Sequence, residues 1–252
     1  MRLALLGVLG LAIAPVGACA SDPSALWKIV DGACVPHEET LHNPEPCAEV
    51  DLAHGAGKGY VVLKDIRGQT QYLLIPTARI SGIEDPAVLA PDAANYFADA
   101  WQARTFVEGQ LHRTLPRSAI ALAINSVDGR SQNQLHIHID CVRVDVRDAI
   151  AANLDKVGRV WAPFPVTLAG HEYRAIRVEQ AELDGIDPFR VLADADPAAA
   201  ADMGIHTLVL VGATFAVDGR DGFVLLDDHA NLMAGDFGSG EELQDHGCAV
   251  GK

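Results

Sequence analysis

The sequence predicts an α+β domain organised on an antiparallel sheet, and three observations predict it. Leu135-His-Ile-His-Ile-Asp140 alternates with period two, so Leu135, Ile137 and Ile139 fall on one side and His136, His138 and Asp140 on the other. Short apolar runs bounded by turn residues recur at 60–65, 71–76, 119–124, 207–211, 214–217 and 222–226, a length that suits hairpin strands. Helical spacing is confined to a few stretches, and no Pro/Gly-rich linker divides the chain, so the sheet continues through both halves of one domain, 21–252.

Taking the elements in order, Arg2 precedes the apolar run Leu3–Val16, which is short for a membrane span and suits an export signal or N-terminal anchor over residues 1–20. Ala18-Cys19-Ala20 offers a small-x-small cleavage site, and Val16-Gly17-Ala18-Cys19 reads equally as a lipobox with Cys19 lipid-bearing. In each case the body is exported, to the periplasm or to the periplasmic face of the inner membrane. Residues 21–33 predict a short helix carrying Leu26, Trp27, Ile29 and Val30, and 34–48, with Pro36, Pro44 and Pro46, predict a loop. Tyr60–Asp65 and Gln71–Pro76 predict a hairpin turning at Gly68. A helix is expected from about Asn95 through Leu111, and a central strand over Ala119–Ile124. After a turn with Asp128-Gly129 at its tip, the histidine strand pairs back antiparallel, which puts Asn125 near the start of its groove.

Val146, Ile150 and Leu154 sit at helical spacing up to Lys156, and Trp161–Pro165 reads as irregular. His171–Val178 predicts a strand, and Asp187-Pro188 begins a helix expected to reach about Met203. Strands follow at Thr207–Val211, Thr214–Val217 and Gly222–Leu226, with a turn at Asp218–Gly222 and a terminal helix over 240–246.

Composition narrows the partners. A net charge of −15 argues against duplex nucleic acid, which wants a basic surface, but leaves room for a local basic pocket. Cys34, Cys47, Cys141 and Cys248 make an even number in an exported chain, so two disulfides are expected from three possible connectivities. Closeness in sequence favours Cys34 with Cys47, leaving Cys141 to staple the histidine strand to Cys248. Four free thiols are the alternative, and without a C-x-x-C pair a zinc site is disfavoured.

An imidazole on a rigid strand serves as metal ligand, base or nucleophile. The string His-x-His-x-Asp also begins the zinc motif of metallo-β-lactamase-like enzymes, but there a His follows the Asp, whereas Cys141 follows Asp140 here. As nucleophile, a neutral imidazole attacks phosphorus when its other nitrogen is held. Gly129-Arg-Ser-Gln-Asn-Gln134 brings donors toward that strand, which suits charge developing on phosphorus.

Ile124-Asn125 and Gly129–Asp140 resemble the active-site strand of histidine-triad nucleotide hydrolases and transferases, and Leu73–Ser81 resembles the strand preceding it together with the following I-P-x-x-H-I segment. More specifically, the chain resembles the bacterial CDP-diacylglycerol pyrophosphatases. That resemblance rests on Cys47–Asp51, Val62–Asp65, Trp101–Arg104, Leu122–Ser126, Arg143–Arg147, Gly170–Tyr173 and Gln244–Cys248, in order along nearly the whole exported chain. It implies a histidine-triad-like sheet with flanking helices and a C-terminal sheet extension. It also implies hydrolysis of the membrane phospholipid CDP-diacylglycerol to CMP and phosphatidate, with no cofactor and membrane association through the N-terminus.

By the same resemblance His138 matches the nucleophile. His136, Gln132 and Asn133 match phosphate-site positions, with Ser131 beside them, and Asn125 matches one near the nucleotide. The sequence departs from the superfamily twice. Asp140 stands where the third motif His is expected, and could orient an imidazole; Arg79 stands where a His follows Ile75-Pro76, and could bind phosphate. Arg130 belongs to the donor loop, and Lys64, beside Asp65, could reach the nucleotide. Arg143 and Arg147 could bind diphosphate, His171-Glu172 is a second-tier candidate, and the remaining histidines, His246 included, read as surface or structural. A soluble dinucleotide or nucleotide-ester hydrolase, a metal-dependent phosphohydrolase and a non-enzymatic lipid-anchored binding protein are the alternatives.

Overall fold

Strands of two to ten residues pair antiparallel throughout the computed structural model, which describes residues 22–179, 181–216 and 219–251. They are β1 Glu49–Asp51, β2 Tyr60–Lys64, β3 Tyr72–Pro76, β4 Ile120–Ile124, β5 Ile137–Cys141, β6 Ala162–Pro163, β7 Arg174–Val178, β8 His206–Phe215 and β9 Arg220–His229. Together they form one nine-stranded sheet in the order β1-β2-β3-β5-β4-β8-β9-β7-β6. The α+β expectation and the continuity of the sheet through both halves hold; the export segment, 1–20, lies outside the described residues.

Period-two patterning decides what covers each face. One face presents Val62, Leu74, Ile137, Ile139, Leu122, Leu208, Leu210 and Phe223 to a core completed by Phe97, Trp101, Phe189 and Leu192. Those last four come from helices α3 Tyr96–Gln102 and α6 Pro188–Ala195. The other face is divided. Val61, Leu63, Leu73 and Ile75 pack under Val30 and Cys34 at one end. Ala123, Val209, Val211, Val224 and Leu226 pack under Val146 and Ile150 of α5 Val144–Asn153 at the other. The row of His136 and His138 lies between these two apolar patches.

Several boundaries differ from expectation, each for a local reason. The N-terminal helix does not stop at 33: α1 Ala25–Ile29 runs through a π-helical turn, Val30–Cys34, into α2 Val35–Leu41. Pro36 is the second residue of α2, directly after the π-helical turn, so the helical path continues through it. The helix over 95–111 is two, α3 and α4 Arg104–Leu111, divided at Ala103, with the Asn95 side chain capping the first. The helix expected to reach Met203 breaks into α6 and α7 Pro197–Ala201, because Pro197 cannot continue it and Asp196 caps the second. The two short strands at 207–217 are one, β8, and the expected terminal helix is a 3-10 turn, Gly240–Leu243. That turn lies flat on the sheet. A Cβ on Gly240 would stand 2.6 Å from Val209 Cγ2 and 2.8 Å from Thr207 Oγ1, so only glycine permits the approach.

Both disulfides form as sequence proximity favoured, Cys34–Cys47 and Cys141–Cys248. The second ties the end of β5 to the chain's tail across 107 residues. Breaking it with Cys141→Ala/Cys248→Ala should lower the unfolding free energy by about 4–5 kcal/mol in the chain-entropy account. Urea denaturation would measure this, with a larger m-value as the unlinked denatured chain expands; a loss below about 1 kcal/mol would show that the tail is held without it.

Candidate active site

His138 stands opposite Leu73 on β3 and Ala123 on β4, in the interior of the sheet, so its ring direction is set by ladders on both sides. The methyl group of Ala123 leaves room beside it. Leu135 and His136 precede the strand itself, yet the alternation carries through: Leu135 is buried in the opposite core, and the His136 and His138 rings meet edge to face with centroids 4.8 Å apart.

The hydrogen-bond network fixes the tautomers. His136 Nδ1 is 2.7 Å from the Gln134 carbonyl, which only accepts, so Nδ1 carries the hydrogen and Nε2 of the neutral ring is a bare lone pair. His138 is the reverse: the Gln71 amide nitrogen donates to its Nδ1 at 2.9 Å, so the hydrogen resides on Nε2. The other amide hydrogen of Gln71 goes to Glu241 Oε1 at 3.1 Å, which holds the amide in this orientation. Glu241 Oε2 accepts from Asn125 Nδ2 at 3.0 Å and lies 3.4 Å from His138 Nε2, which makes no hydrogen bond.

Burial pushes both imidazoles below the ordinary histidine range; at His138 Glu241 opposes the effect and the neighbouring His136 adds to it. Burial alone would raise Glu241; its contacts outweigh that and hold it below the usual carboxylate range. With His138 neutral, the Glu241 charge rests on the Gln71 and Asn125 amides. Further along the same face, His246 Nδ1 lies 2.7 Å from Asp140 Oδ2 and its Nε2 lies 3.8 Å from Glu241 Oε1. The hydrogen bond to Asp140 raises the His246 pKa, and burial raises that of Asp140.

These groups border a cavity of about 450 Å³ that brings together most of the predicted residues: Asn125, Arg130, Ser131, Gln132, His136, His138 and Lys64. Arg130 is already engaged, forking onto Glu84 at 2.6 and 2.7 Å. The Gln132 amide is bound to Leu26 N and the Asp22 carbonyl, and so ties the donor loop to α1. Three predicted residues go elsewhere. Arg79 is exposed and lies over the Trp27 ring, because the chain turns after β3. Asn133 is exposed, its backbone N–H bound to Pro23. Asp140 is buried against Thr70, His246 and the Cys141 N–H. As a neutral ring, His136 offers a lone pair where a phosphate donor was expected.

Sequence reasoning missed Gln71, Arg67, Glu241 and His246. Gln71 was legible only as a strand residue with the parity of Leu73. Glu241 and His246 reach the site over more than 100 residues, and their signal was the pairing of Cys141 with Cys248. Arg143 and Arg147 bond to Asp145 and Asp148 outside the cavity.

Fold and site together define a class: an α+β protein with paired, buried histidines on an antiparallel sheet, bordering a polar cavity. The family model described as CDP-diacylglycerol pyrophosphatase matches residues 21–252, and the chain belongs to that family. It is 45% identical over 230 residues to the CDP-diacylglycerol pyrophosphatase of Yersinia pestis, spanning 91% of this chain and 86% of that protein.

The tautomers and charge states are directly measurable. In ¹⁵N-resolved spectra at about pH 6.5, where a free imidazole is half protonated, His136 and His138 should be more than half neutral and His246 more than half protonated. Because the folded pKa of His246 is raised, its pair with Asp140 stabilises fully below the unfolded value and loses that contribution as pH rises through the folded one. His246→Asn should therefore cost more stability at pH 6 than at pH 9; an equal cost at both would remove the ion pair.

Proposed function

We infer that the protein hydrolyses CDP-diacylglycerol to CMP and phosphatidate on a histidine-triad-like site, through a nucleotidyl-histidine intermediate. The observation that carries this reading is the pair of neutral imidazoles held in a cavity whose rim supplies Lys64 and Arg67 for phosphate charge.

In the first step the His138 ring attacks the cytidylyl phosphorus in line, an N–P bond forms, and the bridging P–O bond breaks with phosphatidate leaving as its anion. Attack needs a lone pair on Nε2 and the hydrogen on Nδ1. Gln71 is placed to allow this exchange: its buried Oε1 has no partner in the resting arrangement, and rotating the amide presents that oxygen to Nδ1–H. Glu241, freed from the Gln71 donor, takes the Nε2 proton and passes it to the departing phosphatidate, while Nδ1 takes up a proton from water in the cavity. In the second step water attacks the same phosphorus, the N–P bond breaks, and Glu241 receives the water's proton.

One observation favours a second reading, in which His136 is the nucleophile: its Nδ1–H is already held by the Gln134 carbonyl and its Nε2 is already bare. The intermediate separates the two. After brief mixing with CDP-diacylglycerol labelled in the cytidylyl phosphate, peptide mapping at alkaline pH, where a histidine N–P bond survives, should place the label on His138, and His138→Ala should fold, form no labelled protein and lose turnover by at least about 10⁴-fold. Label on residue 136 transfers the role to that ring. Absence of label together with full turnover in His138→Ala refutes covalent catalysis by either route.

The lipid part of the substrate has a matching flank. Leu26, Ile29, Leu63 and Ile66 line the side of the cavity next to α1, and Ile66 is 99% exposed. No helix among the described residues is long and apolar enough to cross a membrane. We assign membrane association to residues 1–20, whose apolar run Leu3–Val16 comes shortly before this flank in sequence, and the site to the periplasmic side. Ile66→Asp should reduce turnover of vesicle-borne CDP-diacylglycerol roughly 10-fold and leave a water-soluble CDP ester unaffected. Equal loss on both substrates would show that Ile66 acts on the fold.

A further inference from the structure

A second polar cavity lies at the end of β9, three strands from His138, and shares no lining residue with the first. It measures about 760 Å³. Asp228, near the end of β9, has the parity of Val224 and Leu226 and so points to the sheet face that carries His138. Ligand atoms of His171, Asp228 and Asp236 lie within 4.8 Å of one another.

The cluster is short of positive charge. Asp228 is 5% exposed; its Oδ1 accepts from the His229 N–H, and its Oδ2 is buried with no partner. Asp236 is 8% exposed and accepts from the Gly238 N–H through Oδ1. Glu242 adds a third carboxylate, its Oε1 2.8 Å from His171 Nδ1 and accepting from Tyr173 Oη at 2.8 Å. The guanidinium that lines this cavity, Arg174, is occupied with Asp196 and Asp227. Two buried carboxylates facing each other need a shared proton or a cation between them, and the Asp228 oxygen that receives no donor is where a cation would bind.

We propose that His171, Asp228 and Asp236 bind a divalent first-row transition-metal cation, with Glu242 beside them as a further ligand. The donor set decides the class: one imidazole with carboxylates suits Zn²⁺ or Mn²⁺ over Ca²⁺ or Mg²⁺, which favour all-oxygen shells. The spacings agree. His171 Nδ1 lies 2.8 Å from Glu242 Oε1 and 3.8 Å from Asp236 Oδ2. These bracket the separation of about 3.3 Å expected between neighbouring ligands each about 2 Å from one tetrahedral ion.

The cation takes no part in the phosphorus chemistry; its effect is on the chain. Asp236 and Glu242 belong to the segment 231–243, which also carries Glu241 to His138 and seats Gly238 on Ser126, whose N–H donates to the Gly238 carbonyl. An ion joining that segment to β9 and His171 would clamp it to the sheet.

The test is calorimetric titration of the chelator-stripped full chain with ZnCl₂, alongside MgCl₂. One Zn²⁺ per chain with a micromolar or tighter Kd is expected, with a higher Tm and slower amide exchange over 231–243. Asp228→Asn and Asp236→Asn, isosteric changes that also remove like-charge repulsion, should each weaken binding by roughly 100-fold. The double variant His136→Ala/His138→Ala should bind as the wild type does. His171→Gln, at the partly exposed edge, carries the test if either buried variant fails to fold. No saturable Zn²⁺ binding, binding indifferent to Asp228→Asn and Asp236→Asn, or binding lost with His136 and His138 would each overturn the proposal.

Discussion

The Gln71 side-chain amide connects the parts of the site. Its nitrogen donates to His138 on the neighbouring strand and to Glu241 on the tail segment, so one planar group sets the tautomer of the first and the charge of the second. A buried amide left unpaired costs about 1–3 kcal/mol, which is why the arrangement is specific. It depends on β3 and β5 pairing in register: with Leu73 opposite His138, Gln71 lies one pleat further along on the same face. A slip of one residue would turn Gln71 and Leu73 to the other side and bring Tyr72 and Leu74 into the site.

The C-terminal tail completes what the strands begin. Gln244 Nε2 donates to the carbonyls of Ala121 and His138, bridging β4 and β5 at the site, and Asp245 N–H donates to the Cys141 carbonyl beside the disulfide. Glu241 and His246 are thus held by a covalent link, backbone hydrogen bonds and the close seat of Gly240. The strands β8 and β9, which the sequence offered only as a sheet extension, are interior to the sheet and form part of the floor beneath this segment. The acidity of the whole chain is compatible with anionic substrate because Lys64 and Arg67 are local to the cavity, while the nearest carboxylate is already hydrogen-bonded by neutral amides.

Local pattern was informative where each residue's partner lies close in sequence or follows from strand parity. The alternation of residues 135–140, the β2–β3 and β4–β5 hairpin neighbours, and the presence of Asn125 at the groove all follow from period two and turn chemistry. Arg79 and Asn133 did not reach the cavity because a motif position specifies backbone placement and leaves open where an exposed side chain turns. The helix breaks at Ala103 and Asp196, and the run of α1 into α2 through Pro36, follow from caps and packing that periodicity does not register.

The sequence by itself determined that two imidazoles would share one face of a strand whose other face is apolar, because side-chain direction in an extended chain is a matter of counting. It also determined the pairing partners of four cysteines to within a short choice. Only the tertiary structure decided which hydrogens those imidazoles carry, since that depends on Gln71, Gln134 and Glu241 arriving from separate segments. It alone brought His171, Asp228 and Asp236 together, because contacts between residues so far apart are set by sheet order and register, which no local spacing encodes.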